Sequence, residues 1–261
     1  MAEVREPAVA GSFYPADARK LRGQVERLLA DASPAGIEPE ALIAPHAGYA
    51  YSGPIAASAF KAVAGRRGSI RRVVLVGPSH FVPFAGLAVP EATAFRTPLG
   101  EVPLDLDGVA AASRHAVVGR SAEAHRREHC LEVELPFLQV LLGEFEIVPL
   151  VTGQATPEEV AALIEALWEG PETLVVASSD LSHYHDYETA RRLDQATART
   201  IVGGRPEELE PASACGRLAV QGLLLAAGRR GLDATLLDLR NSGDTAGPRH
   251  EVVGYGAFAF A

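Results

Sequence analysis

Three short apolar runs, each ending in a polar turn that carries histidine, constrain this chain more than anything else in it. Arg72-Val73-Val74-Leu75-Val76 runs into Gly77-Pro78-Ser79-His80. Ala41-Leu42-Ile43-Ala44 runs into Pro45-His46-Ala47-Gly48-Tyr49, and Leu174-Val175-Val176-Ala177 into Ser178-Ser179-Asp180-Leu181-Ser182-His183. Runs of this kind, apolar on successive residues and rich in β-branched side chains, belong to strands buried on both faces of a parallel sheet. In open α/β sheets, ligands bind beyond the carboxyl ends of the strands. If the three strands are parallel neighbours, His46, His80, Asp180 and His183 converge on one rim.

Between these runs the pattern alternates. A helix is expected from Asp17, its N-cap, with Leu21, Val25, Leu28 and Leu29 on one face, and another from Ser52 with Pro54 in its first turn. Gly86–Pro90 reads as a short strand, 97–104 as a loop or hairpin, and 107–114 as a short helix. Residues 128–142 have a buried helical pattern in which Pro136 marks either a kink or the first turn of a helix starting near Leu135. A strand over 145–151, a helix opening at Thr156-Pro157-Glu158-Glu159, the strand over 173–177 and helices over about 187–202 and 212–227 follow. Strands over 234–239 and 252–260 close the chain. With no low-complexity linker among 261 residues, a single three-layer α/β/α domain around a mostly parallel or mixed sheet is the economical fold.

Composition removes several classes of function. A net charge of −9 argues against a nucleic-acid footprint, and Arg66-Arg67 and Arg71-Arg72 read as solvated loop charge. No apolar run has the length of a membrane span, and the N-terminal residues have no signal-peptide core, which predicts a cytoplasmic protein. Two cysteines make no disulfide framework. Neither a phosphate loop, a GxGxxG turn nor a Gly-x-Ser-x-Gly elbow is present.

Each chemical residue has a bland alternative. His46 and His80 each follow a proline within two positions, so a rigid turn aims each ring as a metal ligand requires; the alternative is a loop histidine bonded to backbone. Asp180 and His183 suit an orienting carboxylate and a general acid or base, or Asp180 and Ser182 merely cap a helix. Cys215 is placed early in the 212–227 helix, where it is either core or a thiol activated by the helix N-terminus. Cys130 reads as packing, while Glu128 and His129 just before it are placed either to reach a site from the chain's edge or to take no part in it. His115, His125 and His250 read as solvated, and Asn241-Ser242-Gly243-Asp244 as an ordinary turn. Two His and a Cys with nearby Asp and His suit iron, copper or zinc better than magnesium.

Taken together, Pro45-His46-Ala47-Gly48-Tyr49, Gly77-Pro78-Ser79-His80, Glu128-His129 with Glu132 and Leu135-Pro136, Ser178 to His183, Cys215-Gly216-Arg217, and Asn241 to Asp244 with Val253-Gly254-Tyr255 resemble the Memo family over residues 1–261. The resemblance implies a fold like the class III extradiol ring-cleaving dioxygenases. It implies a metal site at His46, His80 and Cys215, with Asp180 and His183 lining the pocket and His183 in the position of a catalytic histidine. Fe(II) is the first expectation for the metal, copper and zinc the alternatives. Two departures stand out: Cys215 occupies the place of a dioxygenase carboxylate, and Glu134 stands where some Memo sequences have histidine. The family resemblance also implies a radical SAM protein and an AMMECR-type protein as pathway partners. The expected function is a metal-dependent oxidoreductase acting on an unidentified small molecule, aromatic compounds among the candidates. A non-catalytic binding module for a peptide or partner protein is the alternative, and zinc-assisted hydrolysis a weaker third.

Overall fold

A computed structural model describes residues 3–261. Its strands are β1 Val4–Arg5, β2 Ala41–Ala44, β3 Arg72–Pro78, β4 Leu87–Val89, β5 Ala94–Thr97, β6 Gly100–Pro103, β7 Val118–Arg120, β8 Glu146–Thr152, β9 Thr173–Ser178, β10 His183–His185, β11 Ala234–Asn241 and β12 Val252–Phe260. Its helices are α1 Ala18–Asp31, α2 Gly53–Lys61, α3 Leu106–Ala112, α4 Ala122–Arg126, α5 Leu135–Leu142, α6 Pro157–Leu167, α7 Tyr187–Val202 and α8 Arg217–Arg230.

The large sheet has the order β10-β12-β2-β9-β3-β8-β4-β7, with β11 also paired to β12. The three strands that carry histidine turns are indeed parallel neighbours: β9 lies between β2 and β3, and β8 continues the parallel set. Antiparallel β12, β11, β10 and β4 make the sheet mixed. The remaining three strands form a small sheet, β1-β5-β6. From β2 the chain crosses over β9 to β3, whereas from β8 it returns over β3 to β9. Right-handed crossovers in opposite directions place their helices on opposite faces. Accordingly α1, α2 and α5 pack together as one layer, and α6 packs with α8 and α3 as the other. The sheet between them is apolar on both faces, every residue of β2 and β9 being buried.

Local chemistry explains the boundaries. Asp17 caps α1 by accepting the Lys20 N–H at 2.9 Å, and Thr156 and Glu159 form a capping box ahead of α6. Pro136 opens a helix: a single 3-10 turn, Glu132–Glu134, leads into α5 at Leu135. The 97–104 region is the turn and second strand of the β5–β6 hairpin.

Two expectations are corrected. The helix expected from 212 begins at Arg217, so Cys215 lies in the preceding turn, immediately before the N-cap Gly216. His125 is buried, with Nε2–H donating to Ala88 O at 2.9 Å on β4, because the short helix α4 tucks it under the sheet edge. Burial lowers its pKa to about 4, so it is a neutral structural imidazole.

Candidate metal centre

The parallel order β2-β9-β3 sets three polar turns side by side at one edge of the sheet. His46 leaves β2, His80 leaves β3, and Ser178 to Asp180 leave β9. Cys215 joins them from the turn before α8. Its N–H donates to Asp180 O at 3.2 Å, while the Gly216 N–H donates to Ser179 Oγ at 2.9 Å. A Cβ on Gly216 would lie 2.5 Å from Ser178 O and 2.7 Å from Ser179 Cβ. Glycine is therefore what lets this turn lie against the end of β9.

Cys215 Sγ is 3.2 Å from His46 Nε2 and accepts the Asp180 N–H at 3.3 Å. One ligand atom from each of His46, His80 and Cys215 lies within 4.8 Å of the other two. Both imidazoles are held through Nδ1. His46 Nδ1 is 2.8 Å from Ser178 Oγ, and His80 Nδ1–H donates to Glu128 Oε1 at 2.9 Å. Each ring thus keeps Nε2 for a ligand, the arrangement by which outer partners fix metal-binding histidines.

Glu128 is close enough to His80 and His129 to form a second potential cluster. Its oxygens, however, already accept from the His80 N–H at 2.7 Å and from the N–H groups of His129 and Cys130 at 2.9 and 3.1 Å. Its geometry is that of an orienting group. Burial alone would raise the Glu128 pKa, but the His80 ring and these N–H donors outweigh it and hold the carboxyl at about 2.

Asp180 and His183 line the same rim. Asp180 Oδ1 accepts the His46 N–H at 2.8 Å, and its other oxygen makes no hydrogen bond to a protein group among the described residues. Burial raises its pKa against the opposing His46 N–H. No hydrogen bond joins Asp180 to His183 among the described residues. Instead His183 Nδ1–H donates to Leu181 O at 2.7 Å, leaving Nε2 as a proton acceptor. A bulge in β10 aims this ring, with exposed Tyr184 at φ 61°, an uncommon conformation for a bulky side chain.

Burial and the neighbouring His80 lower His46 to about 3, and burial with His46 lowers His129 to about 4, so both rings are neutral near pH 7, as metal binding needs. Burial and the Asp180 charge push the Cys215 thiol up to about 12. A bound cation would reverse that, since coordination deprotonates a thiol.

His129 stacks on His80 with ring centres 4.7 Å apart and meets Phe13 edge-on at 4.9 Å. Exposed Tyr51, Phe81 and Tyr184 stand on the turns around the histidines. A cavity of about 320 Å³ beside Cys215 is lined by Pro78, Phe84, Thr152, Gln154 and Arg217. The N-terminal arm supplies a wall: Phe13 O accepts the Tyr49 N–H at 2.8 Å, and buried Glu132 accepts from Arg5, Tyr14 Oη and the Ala8 and Val9 N–H groups. Cys130 is packing, its thiol donating to Pro78 O at 3.2 Å. Asn241 and Asp244 bond to their own turn.

The profile described as "Memo-like protein" matches residues 5–259. The chain belongs to the Memo family. MEMO1 family proteins of Aeropyrum pernix and Ignicoccus hospitalis are 37% and 36% identical to it, each over 98% of this chain and 99% and 98% of their own. A MEMO1 family protein of Thermotoga sp. strain RQ2 is 36% identical over 96% of this chain and 97% of its own. Among solved structures, an uncharacterized protein of Escherichia coli K12, JW3007, shares the fold at a TM-score of 0.53 and 14% identity, over 85% of this chain and 99% of that one. The residues brought together here are those of the motifs that resembled the Memo family in sequence. Ser178, which reaches His46 Nδ1 from behind and is itself bonded to Glu134, was not singled out for the site, and the polar run after β9 was the available signal for it; Glu134 was marked only as a departure from the family pattern.

Proposed function

We propose that this Memo-family chain is a metal-dependent oxidoreductase in which His46, His80 and Cys215 hold the metal, Fe(II) first and copper or zinc as alternatives. The observation that carries this reading is the approach of three ligand atoms to within 4.8 Å, with both imidazoles held through Nδ1. The donor set fits: two imidazoles and a thiol select borderline or soft metals over magnesium. When bound, such a metal would supply Lewis acidity and redox chemistry toward a small aromatic substrate.

The chain's own groups supply the rest. His183 Nε2 takes a proton from a substrate hydroxyl and returns it to product, its orientation set by Leu181 O. The unengaged Asp180 oxygen accepts a hydrogen bond from a second substrate group. Neutral His129 and the aromatic side chains around it offer stacking faces for a planar ring.

The test is elemental analysis of protein purified without oxygen, in wild type, His46→Ala and Cys215→Ala. Near-stoichiometric iron or copper, absent from both variants, followed by oxygen uptake with a catechol-type substrate, is the expected result. Protein that refuses Fe(II), Cu(I) and Zn(II) refutes it. A second reading, a binding module for a peptide or partner protein, draws on the exposed aromatic residues Tyr51, Phe81 and Tyr184 and on the thiol in place of a carboxylate. Metal content without oxygen consumption would favour it.

A further inference from the structure

Ser178 Oγ has three partners and one hydrogen. It lies 2.7 Å from Cys130 O, 2.8 Å from His46 Nδ1 and 2.8 Å from Glu134 Oε1, all buried. Cys130 O is a backbone carbonyl and can only accept, so it takes the Ser178 hydrogen. The hydroxyl's two lone pairs are left for His46 and Glu134, and both must therefore donate. For His46 that means the Nδ1–H tautomer. For Glu134 it means a carboxyl group that carries a proton.

We propose that Glu134 is a neutral carboxylic acid in the folded protein and that, by donating to Ser178 Oγ, it fixes His46 in the tautomer whose Nε2 faces Cys215. An ionised Glu134 would compete with Cys130 O for the one hydrogen and leave two oxygens 2.7 or 2.8 Å apart with nothing between them. Its second oxygen, Oε2, is buried without a partner among the described residues, tolerable for a carbonyl oxygen and costly for a carboxylate. Burial, reinforced by the Asp180 charge and opposed by the Ser178 contact, moves this carboxyl in the same direction, well above its ordinary range. Glu134 thus acts on His46 through Ser178, as Glu128 acts on His80 directly. One imidazole is set by a neutral acid and the other by a charged one.

This positioning role builds on the metal reading, but its decisive tests use metal-free protein, so the two fail separately. The infrared difference spectrum of wild type minus Glu134→Gln at pH 7 is expected to show a protonated carboxyl stretch that shifts in heavy water. A carboxylate band in its place overturns the proposal. Long-range proton–nitrogen NMR is expected to show His46 as the Nδ1–H tautomer in wild type and in Glu134→Gln, whose amide N–H can also donate to Ser178. The Nε2–H tautomer in wild type overturns it. In Zn(II) titrations, Glu134→Gln is expected to match wild type and Ser178→Ala to bind about 10–100-fold more weakly. Unchanged affinity in Ser178→Ala overturns the link to His46.

Discussion

Glu132→Ala is expected to be among the most destabilising single changes in this chain. The carboxylate is fully buried, forms an ion pair with the buried Arg5 guanidinium, and accepts from Tyr14 Oη, from the Ala8 N–H at 2.7 Å and from the Val9 N–H at 3.1 Å. Removing it leaves a buried cation without its counter-charge and three donors, Tyr14 Oη–H and the Ala8 and Val9 N–H groups, without acceptors. Breaking a buried pair from one side costs about 3–5 kcal/mol, and for a chain of this size each kcal/mol lowers Tm by roughly 2–4 °C. The expected fall is therefore about 6–20 °C by calorimetry. Glu132→Gln should be milder. It keeps one acceptor for Arg5 and Ala8 and can donate to Tyr14 Oη, but it leaves the buried Arg5 without its counter-charge and the Val9 N–H unmet. Limited proteolysis should cut the arm around residues 6–12 faster in the Ala variant, since these contacts tie it to the body. A Glu132→Ala protein within 1 kcal/mol of wild type, with its arm equally protected, would refute the reasoning.

Asp194 gives the clearest pH dependence: burial raises its pKa from 3.8 to about 6, against the Ser182 N–H that donates to it at 3.0 Å. Because the folded value lies above the unfolded one, the penalty is absent below about pH 4, grows through pH 6 and reaches on the order of 3 kcal/mol above it. Asp194→Asn should be more stable than wild type at pH 7 and converge with it near pH 4, as read by urea melts at each pH; parallel profiles would sink the idea. Gly216→Ala should lose about 1–3 kcal/mol through the forced contact with Ser178 O, together with Zn(II) binding, in paired denaturation and titration experiments. Glu128→Gln should weaken Zn(II) binding about 10–100-fold by releasing His80, measured by calorimetric titration.

Much of this architecture is legible from the runs that become β2, β3 and β9, because buried parallel strands need continuous apolar residues and their carboxyl ends announce themselves by the polar turns that follow. The same logic explains why His46, His80, Asp180 and His183 could be placed on one rim. What stayed hidden depends on partners distant in sequence. β10 exists because β12 pairs with it, and β7 because β4 does. The start of α8 was misplaced because the apolar stripe through Leu218 and Leu225 extends backward through Ala212 and Ala214, although the chain there is turned to seat Cys215. His125 sits in a polar stretch, and its burial follows from Ala88, 37 residues away. Glu132 and Glu134 look like acids stranded in an apolar run; the groups that satisfy Glu132 lie 118 to 127 residues back. Pattern reads neighbours, and these residues answer to the fold.

If His46, His80 and Cys215 hold a metal as proposed, their order along the chain also bears on biosynthesis. His46 and Cys215 face each other across 169 residues of sequence. Both imidazoles leave the ribosome while the thiol is still unmade, so a nascent chain can present a His pair but never the complete set. Selecting a metal must then wait for the finished, closed polypeptide. Any ion held by all three groups would also cross-link segments far apart, restraining the denatured chain as a long covalent loop does and binding only the folded form. On that reading, loading would be a final inspection of the product, since a molecule that has not closed its sheet would have no place to put the ion.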